Sequence, residues 1–259
     1  MHEFLTFALI GFLAQLIDGS LGMGYGMISS ASLLVAGIPP ALASASTHAA
    51  KLFTSGTSAL SHFALGNVDR GVFWKLSVFG SLGGVLGAVA ITQLNGAAIK
   101  PFVMAYLACI GVLIIYRALR QQNETVIAPP KGFIPGIIGA AGGFADGIGG
   151  GGWGPVTTTS LLATGHAPRF TVGSVNASEF VITSAIIAAF AISHLSGVWT
   201  NTGDMWMLLT PVAGLIVGGV PAALIAGHLP KRVDARRMSA AVGVLIICIA
   251  VQQLWTLLN

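Results

Sequence analysis

Two side chains that are charged at neutral pH sit inside apolar sequence: Lys51, within the stretch 41–65, and Glu179, within 170–196. At mid-membrane depth each would cost at least ~2.5–3.5 kcal/mol, so such groups face a cavity or a partner. Two roles fit them. An ion pair would tie two parts of the chain together, or Lys51 would contact an anion while Glu179 carries a proton. His48 stands three residues before Lys51 and Asn176 three before Glu179, so each shares a helical face with its charge. Ser46, Thr47 and Ser174 add hydroxyls to these polar stripes. Histidine titrates near neutral pH, so His48 could relay a proton or act as a hydrogen-bonded structural group.

Two further acids open glycine-rich segments. Asp18 begins DGSLGMGYG at 18–26, and Asp146 begins DGIGGGGWG 128 residues later, at 146–154. Glycine lets the backbone turn without a Cβ clash and lets a ligand approach the main chain. A helix starting at such a break carries free N–H donors and a positive dipole end. Two breaks meeting at the membrane midplane would form an anion site. Its candidate residues are Gly22, Gly24, Tyr25, Gly26 and Met27 of the first break and Gly150, Gly151, Gly152, Trp153 and Gly154 of the second, beside His48, Lys51 and Asn176. Asp18, Asp146 and Glu179 are the candidates for proton or ion coupling. The two aspartates would also serve as caps of the helix starts. Because two ionised aspartates would repel an anion, at least one should be protonated or turned toward backbone N–H groups. The plainer alternative is that the glycines only let helices pack closely. Tyr25 and Trp153 would line a pore or pack in the core, and Pro155 suits a first helical position. Gly147, Gly149 and Gly152 also satisfy G-x-G-x-x-G, but no strand leads into them, so no nucleotide loop is expected.

The elements that must position these residues are membrane helices. Of 259 residues, 54% are hydrophobic and 8% charged, against about a quarter charged in soluble domains. Stretches 41–65, 71–93, 102–120, 170–196, 205–228 and 238–258 reach the length of about 20 residues needed to span a bilayer. The chain is expected to be an all-α integral membrane protein. Its N-terminus lacks the basic region and cleavage site of a secretion signal. Cys109 and Cys248 lie within apolar helices and read as packing residues, with no disulfide or metal implied. His62 and His194, which match each other, and His166 and His228 read as anchors at helix ends. No Ser/His/Asp grouping, metal-ligand spacing or nucleotide loop points to an enzyme; no cofactor and no nucleic-acid partner are expected.

The chain is also built twice. Ser32-Leu33-Leu34 matches Ser160-Leu161-Leu162, Gly37 matches Gly165, Pro40 matches Pro168 and Ala49 matches Ala177. Further on the offset grows by four, about one helical turn: Ser61-His62 matches Ser193-His194, Trp74 matches Trp206, and 111–115 matches 243–247. Repeat one is 1–121, the linker 122–131 and repeat two 132–259, all one membrane domain. Each repeat should hold a broken pair of short helices (4–17 with 27–37, and 132–145 with 155–165) followed by three spans. At 11 to 14 residues each arm is too short to cross alone, so re-entrant geometry is expected. If each pair crosses once the repeats run parallel; if it dips and returns, or forms a full-length hairpin of the same parity, they are inverted. The parallel arrangement splits the basic residues other than Lys51 five to six. The inverted one leaves Lys100 alone on one side and puts Arg70, Lys75, Arg117, Arg120, Lys131, Arg169, Lys231, Arg232, Arg236 and Arg237 on the other. Basic residues collect on the cytoplasmic side. That favours inverted repeats in the inner (cytoplasmic) membrane, with both termini outside the cytoplasm.

The DGSLGMGYG segment, the G-x-P-P-x-x-A-x-A-S stretch from Gly37 to Ser46, His62 and Gly66-Asn67-Val68-Asp69 resemble the sulfite exporter TauE/SafE family. Residues 146–154 with Ala167-Pro168 are similar to that family's second repeat. The resemblance covers nearly the whole chain. It implies a secondary transporter of sulfite, organosulfonates or related small sulfur-containing anions, with export the usual direction. Lys51 belongs to no signature of the family that the likeness supplies. An anion channel, or an H⁺- or Na⁺-coupled importer of the same solutes, are the alternatives. The substrate, the coupling ion and a homodimeric assembly are left open.

Overall fold

The computed structural model describes residues 2–120, 132–199, 208–226 and 235–258. Ten helices and no strand occur among them. The first five are α1 (His2–Leu21), α2 (Tyr25–Val35), α3 (Pro40–Ala64), α4 (Arg70–Gln93) and α5 (Gly96–Arg120). The second five are α6 (Ile134–Gly149), α7 (Trp153–Ala163), α8 (Pro168–Leu195), α9 (Leu209–Ala226) and α10 (Ala235–Leu258). The same order of one helix, one short helix and three further helices thus occurs twice. Where the sequence offset shifts, α8 has 28 residues and α3 has 25. The linker 122–131, together with Lys131, Trp206, His228, Lys231 and Arg232, lies outside the described residues.

α1, α4, α5 and α8 are long and apolar enough to cross a membrane, as expected of a multi-pass membrane protein. α3 has the length, but buried Ser44, Thr47, His48, Lys51, Thr54, Ser55 and Ser58 form a polar face along it. The first arm of repeat one differs from the expected 4–17. α1 runs 20 residues, about 30 Å at 1.5 Å per residue, which matches a bilayer's hydrocarbon core. Its counterpart α6 also continues past the expected end, to Gly149, over 16 residues. Both helices include their aspartate because nothing before the glycines stops them. Gly22 N–H donates to the Asp18 carbonyl and Gly150 N–H to the Asp146 carbonyl, each at 2.6 Å. Only then does the chain turn, through φ 71° at Gly22 and 72° at Gly150, where a side chain would be strained. α2 and α7 start two residues earlier than expected, so Pro155 is the third residue of α7 rather than its first. It still lies in the first turn, where an N–H has no intrahelical partner.

α7 folds back along α6. A Cβ on Gly142 would stand 2.6 Å from Thr157 Cγ2, and one on Gly152 2.6 Å from Ala145 Cβ. Between repeats, matching helices meet in opposite directions. Along α3 and α8, Lys51 meets Glu179, Ser58 meets Asn176, and Leu65 meets Arg169. In α5 and α10, Gly111 packs on Ile247 and Gly243 on Ile115. The remaining helices exchange partners: α6 lies along α4, and α1 along α9. One end of the molecule gathers Arg169 with Asn67 and Leu65, Lys75 with the Gly132 carbonyl, and Arg236 with the Leu119 carbonyl. A cavity of about 270 Å³ brings together Pro39, Gln93, Asn95, Gly96, Val198 and Trp199. Cys109 and Cys248 are exposed on the outside of the bundle rather than packed within it.

Lipid offers helices no hydrophobic reason to associate, so small residues that allow close van der Waals packing and interhelical hydrogen bonds carry much of the association. The α4–α6 seam is made this way. Gly139 and Gly143 sit on the backbone of Gly80, Gly147 sits on that of Gly84 and Gly87, and from the other side Gly83 and Gly87 sit on the backbone of Ala140 and Phe144. A Cβ on Gly143 would lie 2.8 Å from the Gly80 carbonyl carbon, while one on Gly96 would find only ordinary contacts at 3.7 Å and beyond. Gly143→Ala should therefore destabilise by about 1–3 kcal/mol and Gly96→Ala should be neutral. Thermal unfolding of the two variants in detergent checks this; equal midpoints would count against the seam.

Candidate functional site

The two glycine breaks meet inside the bundle. Gly26 packs against the Gly150 carbonyl and Gly151, and Gly151 packs against Met27, where a Cβ would come within 2.6 Å of Met27 Cα. Gly154 lies against Gly22 and Met23 in the same way. Hydroxyls stitch the contact: Ser30 donates to the Gly149 carbonyl at 2.7 Å and Thr158 to the Gly22 carbonyl at 2.8 Å. Ser30 and Thr158 are repeat partners at the 128-residue offset, a signal that was available in the sequence.

The aspartates reach across the breaks and cap the short helices α2 and α7. Asp18 Oδ1 accepts from Tyr25 N–H at 3.1 Å, and Asp146 Oδ1 accepts from Trp153 N–H at 3.2 Å. Each carboxylate sits at the positive end of a short helix, where an anion is stabilised. The first amide of each short helix is thereby taken by the chain's own carboxylate. Tyr25 and Trp153 are core residues here: Tyr25 OH donates to the Leu215 carbonyl and Trp153 Nε1 to the Val175 carbonyl.

Beyond the caps the two halves differ. Asp146 Oδ2 accepts from Lys51 Nζ at 2.9 Å and stands 3.0 Å from His48 Nε2. Lys51 Nζ also contacts Glu179 Oε1 at 2.8 Å. Lys51, His48 and Asp146 are 1%, 0% and 0% exposed, and Glu179 6%. The His48 Nδ1 lies 2.8 Å from the Ser44 carbonyl oxygen, which can only accept, so Nδ1 carries a hydrogen. A further proton must then lie between Nε2 and Oδ2 for that contact to be a hydrogen bond. Ser44 itself donates to the Gly147 carbonyl at 2.8 Å, fixing α3 against the end of α6. Asp18, the repeat partner of Asp146, has no ion-pair partner among the described residues. Repeat equivalence explains this: where Asp146 meets Lys51 and His48, Asp18 has Glu179 and Asn176 as the corresponding positions.

Of the two roles the sequence leaves open for Lys51 and Glu179, the structure contains the ion-pair contact. Its third member, Asp146, was not foreseen, because the sequence assigned the aspartates to the breaks and Lys51 to a separate span. Asn176 is not brought to Lys51; it donates to the Val172 carbonyl and accepts from Ser58. The Ser46 and Thr47 hydroxyls are buried and have no hydrogen-bond partner among the described residues. Ser174 pairs with the backbone of Asp69. His62 is buried beside Asn67 instead of anchored at an interface. His166 bonds Thr164, and His194 packs edge-on to Trp199. Among the described residues no group of three or more His, Cys, Asp or Glu side chains could hold a metal.

A multi-pass helical bundle whose ionisable groups converge on paired helix breaks has the architecture of a membrane transporter. Residues 7–253 match the family described as Sulfite exporter TauE/SafE, and the chain belongs to that family of membrane transporters. It is similar to the probable membrane transporter protein YtnM of Bacillus subtilis (strain 168), at 42% identity over 96% of this chain and 82% of the relative. Over shorter regions it is similar to the sulfite exporter TauE/SafE family protein 5 of Arabidopsis thaliana, at 30% identity over 50% of this chain and 30% of the relative. A probable membrane transporter protein, ORF9, of Sinorhizobium sp is 32% identical over 51% of this chain and 54% of its own. No solved structure gives a significant match.

Removing one partner of a buried ion pair leaves an uncompensated charge and costs about 3–5 kcal/mol. Lys51→Met, which strands two carboxylates, should fall in that range. Adding Glu179→Gln should restore part of the loss, with a coupling of about 0.5–3 kcal/mol. Asp146→Asn, which also weakens the α7 cap, should be costlier than Glu179→Gln alone. Denaturation midpoints of these variants in one detergent test this; strictly additive losses would mean that Lys51 and Glu179 act separately.

Proposed function

We propose that this transporter moves a small sulfur-containing anion, sulfite or an organosulfonate, across the cytoplasmic membrane by alternating access. The observation that carries the reading is the Lys51 ammonium of repeat one, buried beside the glycine breaks and held by two carboxylates of repeat two, Asp146 and Glu179. Sulfite and sulfonates present several acceptor oxygens around one sulfur. An ammonium and a neighbouring imidazole can serve them together. In this reading Lys51 and His48 supply the cationic contacts. Gly22, Gly24, Gly26, Met27, Gly150, Gly151, Gly152 and Gly154 form the close-fitting main-chain wall, with Tyr25 and Trp153 behind it. Asn176 orients α8, Asp146 holds Lys51 and His48 in place, and Glu179, with Asp18 nearby, is the group that exchanges a coupling proton. The first amides of α2 and α7 serve Asp18 and Asp146, so the anion's seat lies on the Lys51 side of the breaks.

The same reading makes the repeats inverted, with α1–α2 and α6–α7 entering from and returning to opposite faces, α1 reaching the full depth of the core. The opposite courses of α3 and α8, the return of α7 along α6, and the gathering of Arg169, Lys75 and Arg236 with their partners at one end all support it. That basic end is assigned to the cytoplasm and both termini to the opposite side. Outward movement of an anion is favoured by about 2.3 kcal/mol per charge per 100 mV across an inside-negative membrane, which supports export.

Proteoliposomes loaded with sulfite, sulfate, thiosulfate or methanesulfonate test the reading. At least one should show saturable efflux that is stimulated by the same anion on the far side, and Lys51→Met should reduce it by tenfold or more. Flux that never saturates would point to a channel, and absence of flux for every sulfur anion would end the assignment.

A further inference from the structure

We propose that the Glu179 carboxylate occupies the seat on Lys51 that the substrate anion takes during transport, and that it vacates this seat by accepting a proton. This rests on the reading of the protein as a sulfur-anion transporter.

The two carboxylates on Lys51 are not held alike. Asp146 is fixed through both oxygens: Oδ1 accepts from the Trp153 amide, and Oδ2 contacts both His48 and Lys51. Moving it would uncap α7 and release His48. Glu179 has Lys51 as its one hydrogen-bonding partner among the described residues, and it is the least buried member of the cluster. A carboxylate with one partner can be replaced at that partner by another oxyanion without dismantling a helix end. Asp146 is therefore a brace, and Glu179 is an exchangeable occupant.

Charge balance requires the proton. Glu179 contacts Lys51, and the other ionisable groups near enough to act on it by charge are His48 from α3, Asp146 from α6, Asp18 from α1 and Tyr25 from α2. Three carboxyls thus share two basic side chains before any substrate arrives. An incoming anion would add a further negative charge to a site closed to water. The step balances when Glu179 passes from carboxylate to carboxylic acid, with one proton taken from the solvent side on which the site is open. Lys51 stays an ammonium throughout, and no bond to the substrate is formed. One proton then travels with each anion, so the membrane potential drives export only of a doubly charged anion such as sulfite, and a singly charged sulfonate follows its own and the proton gradient.

The test is isothermal titration of the purified full-length protein in nanodiscs with methanesulfonate and with sulfate, neither of which titrates near neutral pH. The titration is run in buffers of different ionisation enthalpy. The slope of binding heat against buffer enthalpy counts protons. It should be about one for the wild type, and affinity should weaken by about tenfold per pH unit on the alkaline side, as linkage to a single proton requires. Glu179→Gln should bind the same probes with no proton uptake and no pH dependence, and Lys51→Met should not bind. Wild-type binding with a zero slope would overturn the proposal while leaving anion transport intact. So would loss of binding in a Glu179→Gln protein that elutes as a folded species. If neither probe nor sulfite binds the wild type, the transport reading itself fails. The wild-type proton count needs no variant, so a poorly folding Glu179→Gln leaves the test decisive.

Discussion

Asp146 does two jobs with one side chain. One oxygen ends the α6–α7 break by accepting the first amide of α7, and the other gathers Lys51 and His48 from α3. In a medium without water each of these groups would be costly if left alone. A helix start offers unpaired N–H groups, a lysine offers a charge, and an imidazole must place its hydrogens. Meeting all three needs at one carboxylate makes the break, the polar stripe of α3 and the contact between repeats interdependent. The glycines are the other half of this constraint. Only residues without a Cβ let Gly26, Gly151 and Gly154 bring the two breaks close enough for an aspartate on one repeat to reach a lysine on the other.

The placement of charge in the sequence foretold the architecture better than the detail of the site. A helical membrane bundle follows from apolar spans with few charges, and the duplication follows from DGSLGMGYG and DGIGGGGWG standing 128 residues apart. The helix boundaries were harder. Asp18 and Asp146 looked like break residues because acids and glycines sit together there. Yet a helix continues through an aspartate at little cost, and the turn waits for the left-handed glycines at 22 and 150. The Lys51–Glu179 contact was legible because repeat matching puts two opposite charges at equivalent depth. Asp146 as their companion was not, since its position depends on how α6 lies against α3, which no local pattern encodes. The match of Asn176 with the position of His48 suggested a shared site, but a neutral amide there is satisfied by its own helix and by Ser58.

Membership in the TauE/SafE family places the chain among membrane transporters. It does not by itself account for the way this chain has filled equivalent positions with unlike residues. Between the repeats lysine is matched with glutamate and histidine with asparagine, while the capping aspartates are kept in both. Keeping the caps and varying their neighbours separates two demands. The caps hold each break folded, and the neighbours decide what charge the folded break will tolerate beside it.

That inequality reaches beyond the site itself. A machine assembled from two interchangeable halves can adopt two arrangements that are images of one another, and with identical halves those images would be isoenergetic. Here Lys51 stands beside Asp146, while the matching place beside Asp18 falls to Glu179. Under the proposed alternating access the two images are therefore unequal in energy, and the resting population leans toward one face of the membrane before any gradient is applied.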